Sequence, residues 1–424
     1  MKNRLTIFFW ILLIIQLSSC KSDKSNSETL GLKIRGGLPN LISKLDKKDS
    51  IRVAYFGGSI TAQEGWRVYS RQWLTAQYPK SNFVEINAAI GGCGSDFGVF
   101  RINEHVLQHN PDLVFVEFAV NDASTEAERI SHSIEGIVRQ IWKHNSNTDI
   151  CFVYTIAESF VEAYRADSLP KSVQTMERLA QYYQIPAINY GPEVVKRLDQ
   201  GTLIFKAKKT ALDSIDIFSP DGVHPYTDSG HKIYAEVFNK AFLTIAINSS
   251  SQRLPHQAGK PLDPEYYAQA TMINWDHFDG HEEWDEITIA DDQRFEGFSK
   301  YFSNMGWGQP GDSITFNFEG DAVGFYDLRT PDSGVVLVEI DRVPRDTISR
   351  FDKYTTYKRI SYKLITDLED KRHHVTFRVL EEHQDKAGIL SEMGNSMGNP
   401  KDYEGKNWYL AKVMINGKLF RLKK

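Results

Sequence analysis

The sequence predicts an α/β domain on a parallel sheet, followed by an antiparallel β-sandwich. Two observations carry this. From Ile51 to about Phe242, runs that are apolar throughout alternate with amphipathic stretches of helical spacing, as in strands buried on both faces between helices. Beyond Asn248 the period drops to two and turn residues recur, the mark of short antiparallel strands. A chain of 424 residues also exceeds what one core ordinarily supports.

The N-terminus reads as targeting rather than fold. Lys2 and Arg4 precede an apolar run from Leu5 to Leu17, too short for a spanning helix. It ends in Leu17-Ser18-Ser19-Cys20, which resembles the bacterial lipoprotein cleavage box. That resemblance implies a signal peptide over 1–20 and a lipid on Cys20. It also implies an anchor in the cell envelope, at the outer membrane. Residues 21–45 then read as a tether and lead-in, Ser-rich at the start.

The catalytic region is expected over 46–248. Ile51–Phe56 is a strand that runs into Gly57-Gly58-Ser59, and Trp66 to Tyr78 has helical spacing. Phe83–Ile86, Leu113–Val120, Ile150–Ile156 and Ile185–Asn189 are the next strands, with helices around Ile134–His144 and Met176–Tyr183 between them. Residues 249–264 are polar and proline-bearing and read as a linker. From 265 to 424, alternating strands are expected at Ser313–Phe318, Ala322–Tyr326, Gly334–Ile340, His374–Val379 and Trp408–Ile415. Turns are expected at Gly320-Asp321, Pro331–Gly334 and Asn416-Gly417.

Charge excludes one class of partner. The net charge is -5 and the sequence pI about 6.2, so no basic field calls for nucleic acid. Beyond Cys20 only Cys93 and Cys151 remain, and both read as free thiols. No Cys/His cluster has zinc spacing, and the serine chemistry set out below needs neither a metal nor an organic cofactor.

Three separated segments carry chemistry. Ser59 stands behind two glycines between a strand and a helix, where it is either a helix cap or a nucleophile. Asp221 precedes His224 by three residues, so the carboxylate can orient the imidazole toward a serine. Asn121 ends an apolar run and can donate to an oxyanion, as can the backbone of the glycine-rich turn Gly91-Gly92-Cys93-Gly94. His231 is the nearby competitor of His224, inside the following helix, where it reads as structural.

The order Gly-x-Ser59, Asn87-x-x-x-x-Gly92, x-x-Asn121-Asp122 and Asp221-x-x-His224 resembles the SGNH (GDSL-type) hydrolase superfamily over about Arg52 to Ala241. The resemblance implies a flavodoxin-like three-layer fold with a parallel five-stranded sheet. It implies Ser59 as nucleophile, His224 as base and Asp221 as its orienting carboxylate. The oxyanion hole would be the N–H groups of Ser59 and Gly92 with the Asn121 amide; Gly91 competes with Gly92. Two positions depart from the family pattern: Gly58 replaces its aspartate and Ala119 a glycine.

Around Ser59 the polar and aromatic residues Gln63, Glu64, Trp66 and Arg101 suit a carbohydrate ester better than an acyl chain. The expected substrate is an O-acetylated polysaccharide or oligosaccharide. In the C-terminal module Trp275, Trp284, Trp307 and Trp408 either stack on glycan or fill the core. Acyl transfer to a sugar hydroxyl, a lipase or thioesterase on the same fold, and a non-catalytic envelope glycan binder are the competing classes.

Overall fold

In a computed structural model the described residues are 31–420, apart from 48 and 211–213. The expected targeting segment and Cys20 lie outside them. The first domain is built on β1 (Leu32–Lys33), β2 (Ser50–Gly57), β3 (Asn82–Asn87), β4 (Leu113–Glu117), β5 (Asp149–Tyr154) and β6 (Ala187–Asn189), in the order β1-β6-β5-β4-β2-β3. Strands β2 to β6 are parallel, as expected, and the flavodoxin-like order is present. The lead-in adds an antiparallel edge: Leu32 pairs with Ile188 and Lys33 with Ala187. A small parallel pair, β7 (Leu203–Lys206) and β8 (Asp216–Ser219), lies apart from this sheet.

The central strands are buried on both faces, which is why they lack alternation. Every residue of β4 and β5 is buried. Helices Ser95–His105, Ala127–His144 and Lys171–Tyr182 pack together in one layer, while Trp66–Gln77 packs on Gly230–Asn248 in the other.

Residues 249–264 do not hang free as a linker. Buried Glu135, on the Ala127–His144 helix, accepts the N–H groups of Leu262 and Asp263 at 2.7 Å each. His256 stacks on Trp142 (4.8 Å, 12°) and bonds Asp149 at 2.7 Å. The segment is strapped along the first domain, because a buried carboxylate needs donors and these backbone groups supply them.

The C-terminal domain is one antiparallel nine-stranded sheet. Its strands are β9 (Ala270–Asn274), β10 (Asp285–Thr288), β11 (Asn304–Gly308), β12 (Ser313–Arg329), β13 (Val335–Ile340), β14 (Val343–Ser349), β15 (Arg359–Ile365), β16 (Lys371–Leu380) and β17 (Trp408–Phe420). The sheet forks. Along one edge of β12, residues 313–320 pair with β16 and residues 323–329 with β15, while β17 runs along the other edge. The fork wraps a core that includes Phe316, Phe325, Phe377 and Trp408.

Two expected turns are absent. Gly320-Asp321 lies within β12 and Asn416-Gly417 within β17, and Gly320 pairs with Gly417 across a register shift. A Cβ on Gly320 would stand 1.9 Å from Asn416 O, so these glycines permit a close backbone approach at a bulge. Trp275, Trp284 and Trp408 are buried in the domain core, and Trp307 packs partly buried against the interdomain core. None of the first three presents a face to a glycan.

The domains share a continuous core. The Ser95–His105 helix meets β9, β15 and β17, so its exposed-looking polar start in the sequence is covered by the second domain.

Candidate active site

The ends of β2, β3 and β4 meet where the strand order reverses, the usual place for a site in an open parallel sheet. Ser59 follows β2 and opens a short helix, Ser59–Ala62. Its N–H, in the first turn, has no partner within that helix. The glycine turn follows β3. Asn121 and Asp122 follow β4 in a turn closed by Asp122 N–H to Phe118 O at 2.9 Å. Asp221 and His224 come from the loop after β8.

The three segments converge. His224 Nε2 lies 2.8 Å from Ser59 Oγ, and His224 Nδ1 lies 2.7 Å from Asp221 Oδ2. The Asp221–His224 loop is held locally. Asp221 Oδ1 accepts the N–H groups of Val223 and His224 at 2.9 and 2.8 Å and the Ser219 hydroxyl at 3.0 Å. Gly222 takes a positive φ of 87°, which lets the loop curl around that oxygen. Partial burial raises the Asp221 carboxyl, but the bonds from His224, Val223 and Ser219 outweigh it and hold the group well below the usual carboxylate range.

His231 plays the structural part. It is buried, its Nδ1 accepts the Trp66 N–H at 3.1 Å, and its Nε2 lies 3.1 Å from Gln63 Oε1. Burial pushes its pKa down to about 3.

Asn121 packs on the turn before Ser59: a Cβ on Gly58 would stand 1.8 Å from Asn121 Oδ1 and 3.0 Å from Nδ2. The departure at Gly58 thus makes room for the amide. In the glycine turn, a Cβ on Gly91 would stand 3.6 Å from Ser59 Cβ, while Gly92 takes a φ of 74°. Gly91 borders Ser59, and Gly92 beside it supplies the left-handed bend.

Two of the expected substrate-facing residues are buried. Trp66 is fully covered among Tyr55, Phe115, Tyr190 and Phe238, and its Nε1 donates to Thr61 Oγ1 at 3.2 Å. Arg101 is also fully covered, so neither lines a substrate surface. Arg101 donates to Ala88 O at 2.6 Å and to Gly57 O at 3.3 Å, and packs on the Phe56 ring at 4.4 Å. It ties the residue before Gly58 to the residue after β3. Burial lowers its pKa to about 10, so it stays a cation at neutral pH. Gln63 is half-buried against His231, and Glu64 is exposed and paired with Arg67.

Sequence reasoning missed two buried carboxyls beneath the site. Glu117, at the end of β4, accepts the hydroxyls of Thr61 and Thr155 at 2.7 Å each. Burial pushes its pKa up, against the lowering effect of Thr155, Thr61 and the Gly58 N–H. Asp122 accepts the Ser95 N–H at 2.9 Å, and burial pushes its carboxyl up to about 7. A carboxylate ending an apolar run is visible in the sequence; its hydroxyl partners, from other elements, are not. Cys93 and Cys151 are free and buried, as expected.

Residues 55–233 match the family model for GDSL-like lipase/acylhydrolase proteins. No curated protein matches the chain. The chain is similar to a solved two-domain esterase (CEX) active on acetylated mannans, co-crystallised with mannopentaose. The TM-score is 0.67 at 21% identity, over 94% of this chain and 99% of that one. Another crystal structure of a two-domain esterase (CEX) active on acetylated mannans gives 0.69 at 21% identity, over 92% and 97%. At that identity the likeness is one of fold, and it extends over both domains. The span that matches the GDSL-like lipase/acylhydrolase family model contains Ser59, Asn121, Asp221 and His224.

Proposed function

We propose that the protein is a serine esterase that removes O-acetyl groups from a carbohydrate. The observation that carries the esterase reading is the relay Ser59 Oγ, His224 Nε2, His224 Nδ1, Asp221 Oδ2, with both contacts under 3 Å. His224 takes the Ser59 proton as the hydroxyl attacks the ester carbonyl. Asp221, whose carboxyl is held well below the usual carboxylate range, stabilises the imidazolium that forms. The oxyanion faces the Ser59 N–H, the Asn121 amide and the glycine turn. His224 then protonates the sugar oxygen as its bond to the carbonyl carbon breaks, so the sugar leaves as an alcohol and an acyl-serine remains. Water, deprotonated by His224, releases acetate and restores Ser59.

The acetyl-carbohydrate reading is supported by the two-domain neighbours, which share the arrangement end to end. The test is acetate release from acetylated mannan, xylan and pectin. Ser59→Ala should lower the rate on the order of 10⁴-fold or more. A preference for long-chain nitrophenyl esters over acetyl esters would overturn the carbohydrate assignment. Equal activity of Ser59→Ala would overturn the serine mechanism.

We further propose that Cys20 carries a lipid anchor, on the strength of the apolar run and the Leu17–Cys20 box. Cys20→Ala should then move the protein from the membrane to the soluble fraction. Unchanged membrane fractionation would sink this.

A further inference from the structure

The glycine turn beside Ser59 needs something to hold it, because glycines leave a backbone free to wander. Two restraints come from the first domain. Cys93 Sγ lies 3.5 Å from Gly91 O, and Asp122 Oδ1 accepts the Ser95 N–H at 2.9 Å. The third comes from the second domain. Tyr362, on β15, donates its hydroxyl to Asp96 Oδ1 at 2.8 Å. Its ring stacks on Phe97 at 4.7 Å and 12°. Asp96 in turn accepts the Phe97 N–H at 2.8 Å.

These contacts bear on both halves of the oxyanion pocket. The position a Gly94 Cβ would take lies 2.4 Å from Asp122 Oδ1 and 3.1 Å from Asp96 Oδ1. Two carboxyl oxygens therefore crowd one face of Gly94: Asp122 adjoins Asn121, and Asp96 is held by Tyr362. Upstream, Gly91 reaches Ser59. A donor misplaced by a fraction of an ångström loses much of its effect on an oxyanion.

We propose that Tyr362 is a positioning residue of the esterase site: the C-terminal domain, through this hydroxyl and ring, fixes the Gly91–Gly94 turn. The inference rests on the esterase reading above. It makes the second domain part of the catalytic apparatus for every ester, down to the smallest, and not only a module for polymers. Removing that domain is no test of this, because the two domains share one core.

The test uses the full chain and 4-nitrophenyl acetate. Tyr362→Phe keeps the stack and drops the hydroxyl. It should lower kcat about tenfold, equivalent to about 1.4 kcal/mol, with KM within about twofold, since the acyl group binds as before. Asp96→Asn retains an oxygen to accept the hydroxyl and should stay within about threefold of wild type. In an Asp96→Ala background, Tyr362→Phe should cost nothing more, because its partner is gone. Wild-type kcat in Tyr362→Phe, whatever its Tm, overturns the proposal. So does a full tenfold loss on top of Asp96→Ala. A wild-type protein that hydrolyses no acetyl ester overturns the esterase reading itself, a separate result.

Discussion

The Asn121 carboxamide occupies the space that a side chain at Gly58 would need, with Oδ1 1.8 Å from the would-be Cβ. The residue before Ser59 and the amide after β4 are thus fitted to one another. Gly58→Ala should push Asn121 out of place and remove its donor from the oxyanion. The expected loss in kcat is about 10²–10³-fold, with the fold intact. An alanine variant as active as wild type would show that the amide does not serve the transition state.

Arg101 joins Gly57 O to Ala88 O, so it braces the nucleophile turn against the strand end that leads to the glycine turn. Its partners are carbonyls and rings, which a lysine ammonium cannot engage as a planar fork. Arg101→Met should strand the buried Ala88 carbonyl, while Gly57 O keeps the Ile90 N–H at 3.0 Å, and cost about 1–3 kcal/mol of stability. Arg101→Lys should fall between. Denaturant unfolding measures both; a lysine variant as stable as wild type would contradict the bracing role.

The parallel sheet was legible because β4 and β5 are apolar on both faces, a signal confined to the local chain. Ser59, Asn121, Asp221 and His224 were legible for a related reason: each sits on a short segment whose residue types are unusual where they stand. What stayed hidden depends on contacts between distant segments. Trp66 and Arg101 look like surface residues of polar loops until the strands close over them. Gly320 and Gly417 read as turns, since nothing in either neighbourhood shows that the other glycine lies opposite. The strap at 249–264 is polar and proline-bearing like a linker, and only buried Glu135 reveals that it is bound.

Asp122 carries a pH dependence whose sign follows from its burial. Its carboxyl is pushed up to about 7 by burial, despite the Ser95 hydrogen bonds, with the carboxyls of Asp96 and Glu117 adding to the rise. Unfolded, an aspartate titrates near about 3.9. Between those values the folded state binds more protons, so this group makes stability fall as pH rises from about 4 to 7 and contributes no further slope above. The slope is at most about 1.4 kcal/mol per pH unit. Asp122→Asn keeps an oxygen for the Ser95 N–H and removes the titration. Its stability curve should be flatter than wild type over that window. Parallel curves would show that Asp122 is not protonated in the folded protein.

Glu135 decides whether residues 249–264 behave as a strap or a tether. Its two oxygens take the N–H groups of Leu262 and Asp263 at 2.7 Å, and the Tyr183 hydroxyl joins them. Glu135→Gln keeps one acceptor and turns the other into a donor that faces a backbone N–H. The mismatch should cost about 1–3 kcal/mol, concentrated in the strap rather than in either sheet. Limited proteolysis should therefore cut Glu135→Gln between residues 250 and 264 at a protease concentration that leaves wild type whole. Both chains should retain the far-ultraviolet signature of the intact fold before cleavage. Equal resistance of the two chains would mean that the segment is held by its other contacts, with Asp149 and Trp142 through His256 first among them.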